Sequence, residues 1–218
     1  MKTLIAIPSM DQVPAQFAQS LATLNRAGEC VVTFQIGSLI YTSRNELAKK
    51  AIQMDADFVF WLDSDMIFDP NTLTDMLCTM QEHKDIDFLT GLYFRRVAPF
   101  SPVLFDQLDI DNTGCHWTEF KNIPDEMFKV GACGFGCVLI RTEVLMSVMS
   151  KFGNMFAPIG NVGEDVSFCW RARQCGFDIY CDPRVVLGHV GHTIITREFF
   201  ENYNTAKEAL ENDDITNS

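Results

Sequence analysis

Asp63, Ser64 and Asp65 follow directly on the apolar run Phe58-Val59-Phe60-Trp61-Leu62, so two carboxylates stand one residue apart where a strand stops. Carboxylate oxygens suit a hard divalent cation, and a cation held there can grip the phosphates of a nucleotide. A second stretch, Gly163-Glu164-Asp165, opens a helical pattern in which Asp165, Phe168, Cys169 and Ala172 share one face. Asp165 therefore prolongs an inward stripe, where a carboxylate is costly unless it has a task; the alternative is that Glu164 and Asp165 only favour the positive end of the helix dipole. The third stretch is Gly188-His189-Val190-Gly191-His192, at the end of another apolar strand. An imidazole there can join carboxylates around a metal, His189 ahead of His192.

Gly131-Ala132-Cys133-Gly134-Phe135-Gly136-Cys137 lacks both the strand-to-helix setting of a dinucleotide fingerprint and the Lys-Ser/Thr of a phosphate loop. Its glycines let backbone come close to a ligand, and Gly134 and Gly136 are candidates for that; a tight bulge or turn is the other reading. Asp109-Ile110-Asp111-Asn112-Thr113-Gly114 superficially matches the start of phosphatases with an aspartyl nucleophile, but it follows a polar, proline-broken segment. As a calcium loop it fails, because its twelfth position is Phe120 where a bidentate acid is needed. The spacing of Cys133/Cys137 and Cys169/Cys175/Cys181 does not make a zinc knuckle.

The elements that must position these groups follow from periodicity. Leu4–Ile7 reads as a buried strand, followed by a helix with Val13, Phe17, Leu21 and Leu24 that ends at Gly28. Val31–Ile36 is a second strand, and Ser43 with Glu46 looks like a capping box opening a helix with Leu47, Ala48, Ala51 and Ile52 inward. The five apolar residues before Asp63 read as a strand buried on both faces, typical of the middle of a parallel sheet, and groups just past its carboxyl end lie in the ligand crevice of an open α/β sheet. Asp69-Pro70 is read as an N-cap with a first-turn proline, Leu73, Met76, Leu77 and Met80 as a helix stripe, and Phe88–Phe94 as a fourth strand. That order implies a mainly parallel, Rossmann-like sheet flanked by helices. Past Arg95 come hairpins and loops, a strand at Val138–Ile140, a helix over Thr142–Met149, a loop over Gly153–Gly163, and a helix over Glu164–Gln174 ended by Gly176. Two short strands, Ile179–Cys181 and Val185–Leu187, precede a helix over Arg197–Leu210 and a frayed end.

A chain of 218 residues with 47% hydrophobic content is expected to build one α/β domain. Its net charge of -12 argues against a nucleic-acid polymer as partner, since that affinity comes from clustered Lys and Arg. No apolar run approaches the roughly 20 residues that cross a bilayer, the first strand is too short for a signal sequence, and the eight cysteines read as free thiols, so a cytoplasmic setting is expected.

Taken in order, Ile7-Pro8-Ser9, Ser43-Arg44-Asn45, Asp63-Ser64-Asp65, the glycine loop before Val138, Gly163-Glu164-Asp165 and Gly188-His189-Val190-Gly191 resemble the GT-A class of nucleotide-sugar glycosyltransferases. The similarity is to small family-2-like enzymes of bacteria and phages, and it runs from about residue 3 to residue 192. It implies a GT-A fold with a smaller antiparallel portion. It also implies a nucleotide-binding half over 1–94, an acceptor and metal-completing half over 95–196, and a C-terminal helix and tail over 197–218. The implied cofactor is Mn²⁺ or Mg²⁺ on Asp65, Asp63 and His189, holding a nucleotide-diphosphate sugar, UDP-linked ahead of GDP-linked. Pro8, Ser9, Arg44 and Ser64 would line the nucleotide pocket, with Arg95 and Arg96 as further diphosphate contacts. Asp165, with Glu164 beside it, would face the hydroxyl of a carbohydrate, lipid-linked or protein acceptor as general base in an inverting transfer. Two alternatives stand beside this: an inactive carbohydrate- or nucleotide-binding protein of the same fold, and a sugar nucleotidyltransferase. The latter needs a glycine-rich, basic first loop that Met10-Asp11-Gln12 does not supply.

Overall fold

The computed structural model describes residues 1–216 apart from Ser38, Asn112, Thr113, Lys121, His192 and Thr193. The first half of the chain forms β1 (Lys2–Ser9), α1 (Ala15–Thr23), β2 (Glu29–Ile36), α2 (Ile40–Gln53), β3 (Phe58–Leu62), β4 (Met66–Ile67), α3 (Thr72–Glu82) and β5 (Phe88–Leu92). A less regular stretch follows, with β6 (Leu104–Asp111), β7 (Gly114–Glu119), β8 (Phe128–Val130) and β9 (Ala132–Cys133). The chain then returns to regular elements in β10 (Cys137–Arg141), α4 (Thr142–Phe152), α5 (Glu164–Gln174), β11 (Ile179–Val186), β12 (Gly188–His189) and α6 (Arg197–Thr216).

Seven strands make the central sheet in the order β2-β1-β3-β10-β5-β11-β8, with β6, β7 and β9 in a second sheet and β4 with β12 in a third. The expected α/β fold with a mostly parallel sheet, flanking helices and a smaller antiparallel portion is what the chain adopts. One correction concerns the middle of the sheet: β10 lies antiparallel between β3 and β5, so those two strands are not neighbours. All its residues but the last are buried, and an apolar run of that kind fits between any two inner strands, so its pattern does not disclose its partners.

Alternation along the strands sorts the core onto two faces. Leu4, Ala6, Val59 and Trp61 pack with Leu47, Ala48 and Ala51 of α2 and with α4 and α5. Ile5, Ile7, Phe58, Phe60 and Leu62 pack with Phe17 of α1 and with Leu73, Met76, Leu77 and Met80 of α3. The run before Asp63 is buried at every position, as its composition implies.

Several boundaries differ from the sequence reading. The helix assigned a capping box at Ser43 begins a turn earlier, at Ile40; Ser43 is buried inside it, and Glu46 pairs with Lys49 on its outer face. A Ser-x-x-Glu spacing also arises within a helix, where residues three apart share a face. Asp69 and Pro70 precede α3 instead of entering it, and Asp69 Oδ1 accepts from the Asn71 N–H. The two late strands are one, β11, whose register shifts between Asp182 and Val186, where Pro183 withholds a ladder donor. Among the described residues no helix is long and apolar enough to cross a membrane, and all eight cysteines are free.

Candidate active site

The parallel strands β1, β2, β3 and β5 all run toward one edge of the sheet, and the residues just past their ends line a crevice of about 440 Å³. That size is within the range of small-molecule sites, and the end of the strands is where open α/β sheets take ligands. Pro8 and Ser9 end β1, Asp63, Ser64 and Asp65 follow β3, Arg96 follows β5, and Arg44 enters from the second turn of α2. Glu164 and Asp165, from the first turn of α5, face them across the crevice together with His189 of β12.

The turn after β3 is held by backbone bonds from the Asp63 N–H to the Gly136 carbonyl at 3.3 Å and from the Met66 N–H to the Asp63 carbonyl at 3.3 Å. β4 then pairs with β12, which sets Met66 opposite His189, and the Val190 N–H donates to the Asp65 carbonyl at 2.8 Å. This small ladder carries a histidine from late in the chain to the second acid of the turn.

Each acid has its own cation. Arg44 is 3% exposed; its Nη2 lies 2.9 Å from Asp63 Oδ1 and its Nε 3.2 Å from Glu164 Oε1. The guanidinium also lies over the Phe135 ring, 4.9 Å from its centroid. Asp65 Oδ2 receives Arg96 Nη1 at 2.7 Å and faces His189 Nε2 at 3.3 Å, and the Arg96 side chain is 52% exposed. His189 Nδ1 lies 2.9 Å from the Phe94 carbonyl, so as donor there it leaves Nε2 turned to Asp65.

These surroundings divide the acids. Burial raises the Asp63 carboxyl above its ordinary value despite Arg44, and does the same to Glu164. At Asp65 burial acts the same way, but the hydrogen bond and charge of His189, with Arg96, outweigh it and hold the carboxyl below its usual range. Burial lowers the His189 imidazole, yet the Asp65 hydrogen bond and the Phe94 carbonyl leave it above its ordinary value. Asp165 Oδ1 accepts from the Val166 N–H at 2.7 Å, within the first turn of α5.

Other expected residues lie elsewhere. Gly134 and Gly136 do not line the crevice: a Cβ on Gly134 would strike the Tyr93 hydroxyl, and one on Gly136 would stand 2.6 Å from Tyr93 Cζ. These glycines are explained by a buried tyrosine whose hydroxyl accepts from the Gly136 N–H at 3.0 Å, not by a sugar. Arg95 turns away to Glu119 at 3.6 Å. His192 lies outside the described residues. Met10, Gly37 and Ile40 also line the crevice, and no motif around them in the sequence marks them for it.

Beyond Gly163 a second cavity of about 580 Å³ lies between the β6–β7 hairpin and the 159–163 loop, walled by Phe105, Ile110, Trp117, Ile159 and Val162. Gly163 and Val166 belong to its lining, so Glu164 and Asp165 stand on the partition between the two spaces. Proline breaks and polar residues in 99–124 hid this wall from periodicity.

Among the described residues no three or more His, Cys, Asp or Glu side chains gather to hold a metal. Asp65 Oδ2 and His189 Nε2 do form a donor pair, and their 3.3 Å separation is near the roughly 3 Å between adjacent ligands of an ion bound at about 2.1 Å.

The sequence matches no family model, and no curated protein is similar to it. Solved structures do match. The crystal structure of A197 from STIV superposes with a TM-score of 0.64 at 19% identity over 91% of this chain and 91% of that one. The crystal structure of GalNAc-T7 with UDP, GalNAc and Mn²⁺ superposes with a TM-score of 0.61 at 11% identity, over 88% of this chain but 44% of that one. At such identities the likeness shows a GT-A-like fold and nothing finer.

Proposed function

We propose that this chain is a glycosyltransferase that moves a sugar from a nucleotide diphosphate to an acceptor hydroxyl with the help of a divalent cation. The observation that carries the proposal is the meeting of Asp63, Asp65, His189 and Asp165 with two arginines in one crevice at the strand ends of a GT-A-like sheet. The GalNAc-T7 structure, which holds UDP and Mn²⁺, supports the same reading by analogy of fold.

The donor set fits the cation. Ions of this kind are commonly held by one or two protein groups, with substrate phosphates completing the shell, so a pair at Asp65 and His189 suffices without a third gathered ligand. Mixed carboxylate and imidazole donors favour Mn²⁺ over Mg²⁺. When bound, the cation would neutralise the charge that develops on the leaving diphosphate.

The protein groups supply the rest. Arg44 keeps Asp63 and Glu164 fixed, which commits Glu164 to an ion pair and leaves Asp165 as the acid for the acceptor. In an inverting transfer the acceptor oxygen attacks the anomeric carbon, Asp165 takes its proton, and the sugar–phosphate bond breaks with its electrons passing to the diphosphate. Arg96, which lines the same crevice, would meet that charge. The apolar cavity beyond Gly163 would seat the acceptor, whether carbohydrate, lipid-linked or protein, with Asp165 on the wall between the two substrates.

Calorimetric titration of UDP and GDP with Mn²⁺ and with EDTA tests the reading, together with donor hydrolysis. Tight, cation-dependent binding that Asp65→Asn removes is expected. Equal affinity in EDTA would refute the cation, and binding without hydrolysis or transfer would point to an inactive binding protein of the same fold.

A further inference from the structure

Asp65 Oδ2 is contested. Arg96 Nη1 lies 2.7 Å from it and His189 Nε2 3.3 Å, and this oxygen and this nitrogen are the donors a cation would use. A guanidinium cannot stay on that oxygen beside a divalent ion, since both are positive and a crevice screens them less than bulk water does. Arg96 is free to move: half its side chain is exposed, and among the described residues its one hydrogen-bond partner is Asp65. Arg44 is not, being enclosed by Asp63, Glu164 and the Phe135 ring. Arg96 also lines the crevice, and its planar fork suits phosphate oxygens.

We propose that Arg96 is an exchangeable counter-ion, which neutralises Asp65 in the ligand-free protein and passes to the diphosphate when nucleotide and cation bind together. This rests on the nucleotide-sugar reading above. Its consequence is cooperative binding. A cation alone must expel Arg96 to water, and a diphosphate alone must draw Arg96 off and leave Asp65 with His189 as its one remaining side-chain partner among the described residues, whereas the two together satisfy every charge. The coupling must be reciprocal, each ligand improving the other by the same factor.

The test titrates Mn²⁺, followed through the electron-spin signal of the free ion, and UDP, followed by calorimetry, each alone and with the other. Wild type, Arg96→Gln and Arg96→Lys are compared, with melting curves in the same buffers to show that each is folded. Arg96→Gln is expected to bind Mn²⁺ alone at least about threefold more tightly than wild type, to bind UDP more weakly, and to lose about tenfold of the coupling, a change within the usual range of such linkages. Arg96→Lys, which keeps the charge, should restore most of it. Unchanged or weaker Mn²⁺ binding by nucleotide-free Arg96→Gln overturns the exchange but leaves the nucleotide reading intact if UDP binds wild type. Failure of wild type to bind either UDP or GDP with Mn²⁺ overturns both.

Discussion

Arg44 and Arg96 perform the same formal task, one arginine for each acid of the Asp63-Ser64-Asp65 turn, in opposite surroundings. Arg44 is shut between α2, Phe135 and the start of α5, while Arg96 lies half in solvent. An exposed ion pair is worth little to the fold, whereas a buried one cannot lose a partner without stranding a charge. Burial therefore makes one arginine part of the scaffold and leaves the other available to ligands, although the sequence writes both with the same letter.

The largest expected effect breaks the buried side. Arg44→Ala leaves Asp63 and Glu164 facing each other without a cation and should cost about 3–5 kcal/mol of stability. In a chain of this size that is a fall of roughly 6–20 °C in melting temperature. Arg96→Ala should stay within about 1 kcal/mol of wild type. Calorimetric melting of the pair checks this, and equal losses would erase the distinction between the two arginines.

Next in size is Asp165, which touches neither arginine within hydrogen-bonding distance and stands on the wall between the two cavities. If it is the general base, Asp165→Asn lowers transfer by roughly 10² or more with UDP affinity nearly constant. If it only complements the helix start, the variant loses about 0.3–1 kcal/mol of stability and keeps its turnover. Rate and melting temperature measured on this one protein separate the two roles.

Much of this arrangement is legible in the sequence alone. The strands β1, β2, β3 and β5 and their helices follow from periodicity because each buries a face that its own local pattern must supply, whereas the two-residue β4 is too short to show one. The acids after β3, the first turn of α5 and the glycine-flanked His189 were legible as candidates because polar groups at the ends of apolar runs are conspicuous. What stayed hidden depends on partners far along the chain. Nothing near Arg44 reveals that Glu164 and Phe135 will close over it, so the sequence suggests a crevice residue without the buried ion pair and ring contact that hold it. Gly134 and Gly136 suggested close approach to a ligand, and close approach it is, but to Tyr93. The antiparallel entry of β10 was equally invisible, since strand direction is decided by the connections and not by the residues within the strand.

The smallest effect sharpens the comparison on its exposed side. His189 has a raised pKa, so its attraction to Asp65 stabilises the fold fully below the ordinary histidine value of about 6.5 and is lost as pH rises through the raised value. Asp65 has a lowered pKa, so its share is present above the ordinary carboxylate value of about 3.9 and is lost as pH falls through the lowered one. The pair is therefore strongest between about pH 4 and pH 6.5, and Arg96, which opposes the charge on His189, trims it. In metal-free protein the melting difference between wild type and His189→Gln should be about 2–4 °C near pH 5.5, the equivalent of about 1 kcal/mol. It should shrink toward zero by about pH 9, where the imidazole is neutral. The Arg44→Ala deficit should run the other way and grow as pH rises, because Asp63 and Glu164, which burial already raises, are stranded as charges only once they ionise. A His189→Gln gap that ignores pH would mean that the Phe94 carbonyl and the Tyr93 ring hold the imidazole, with its charge contributing nothing to the fold.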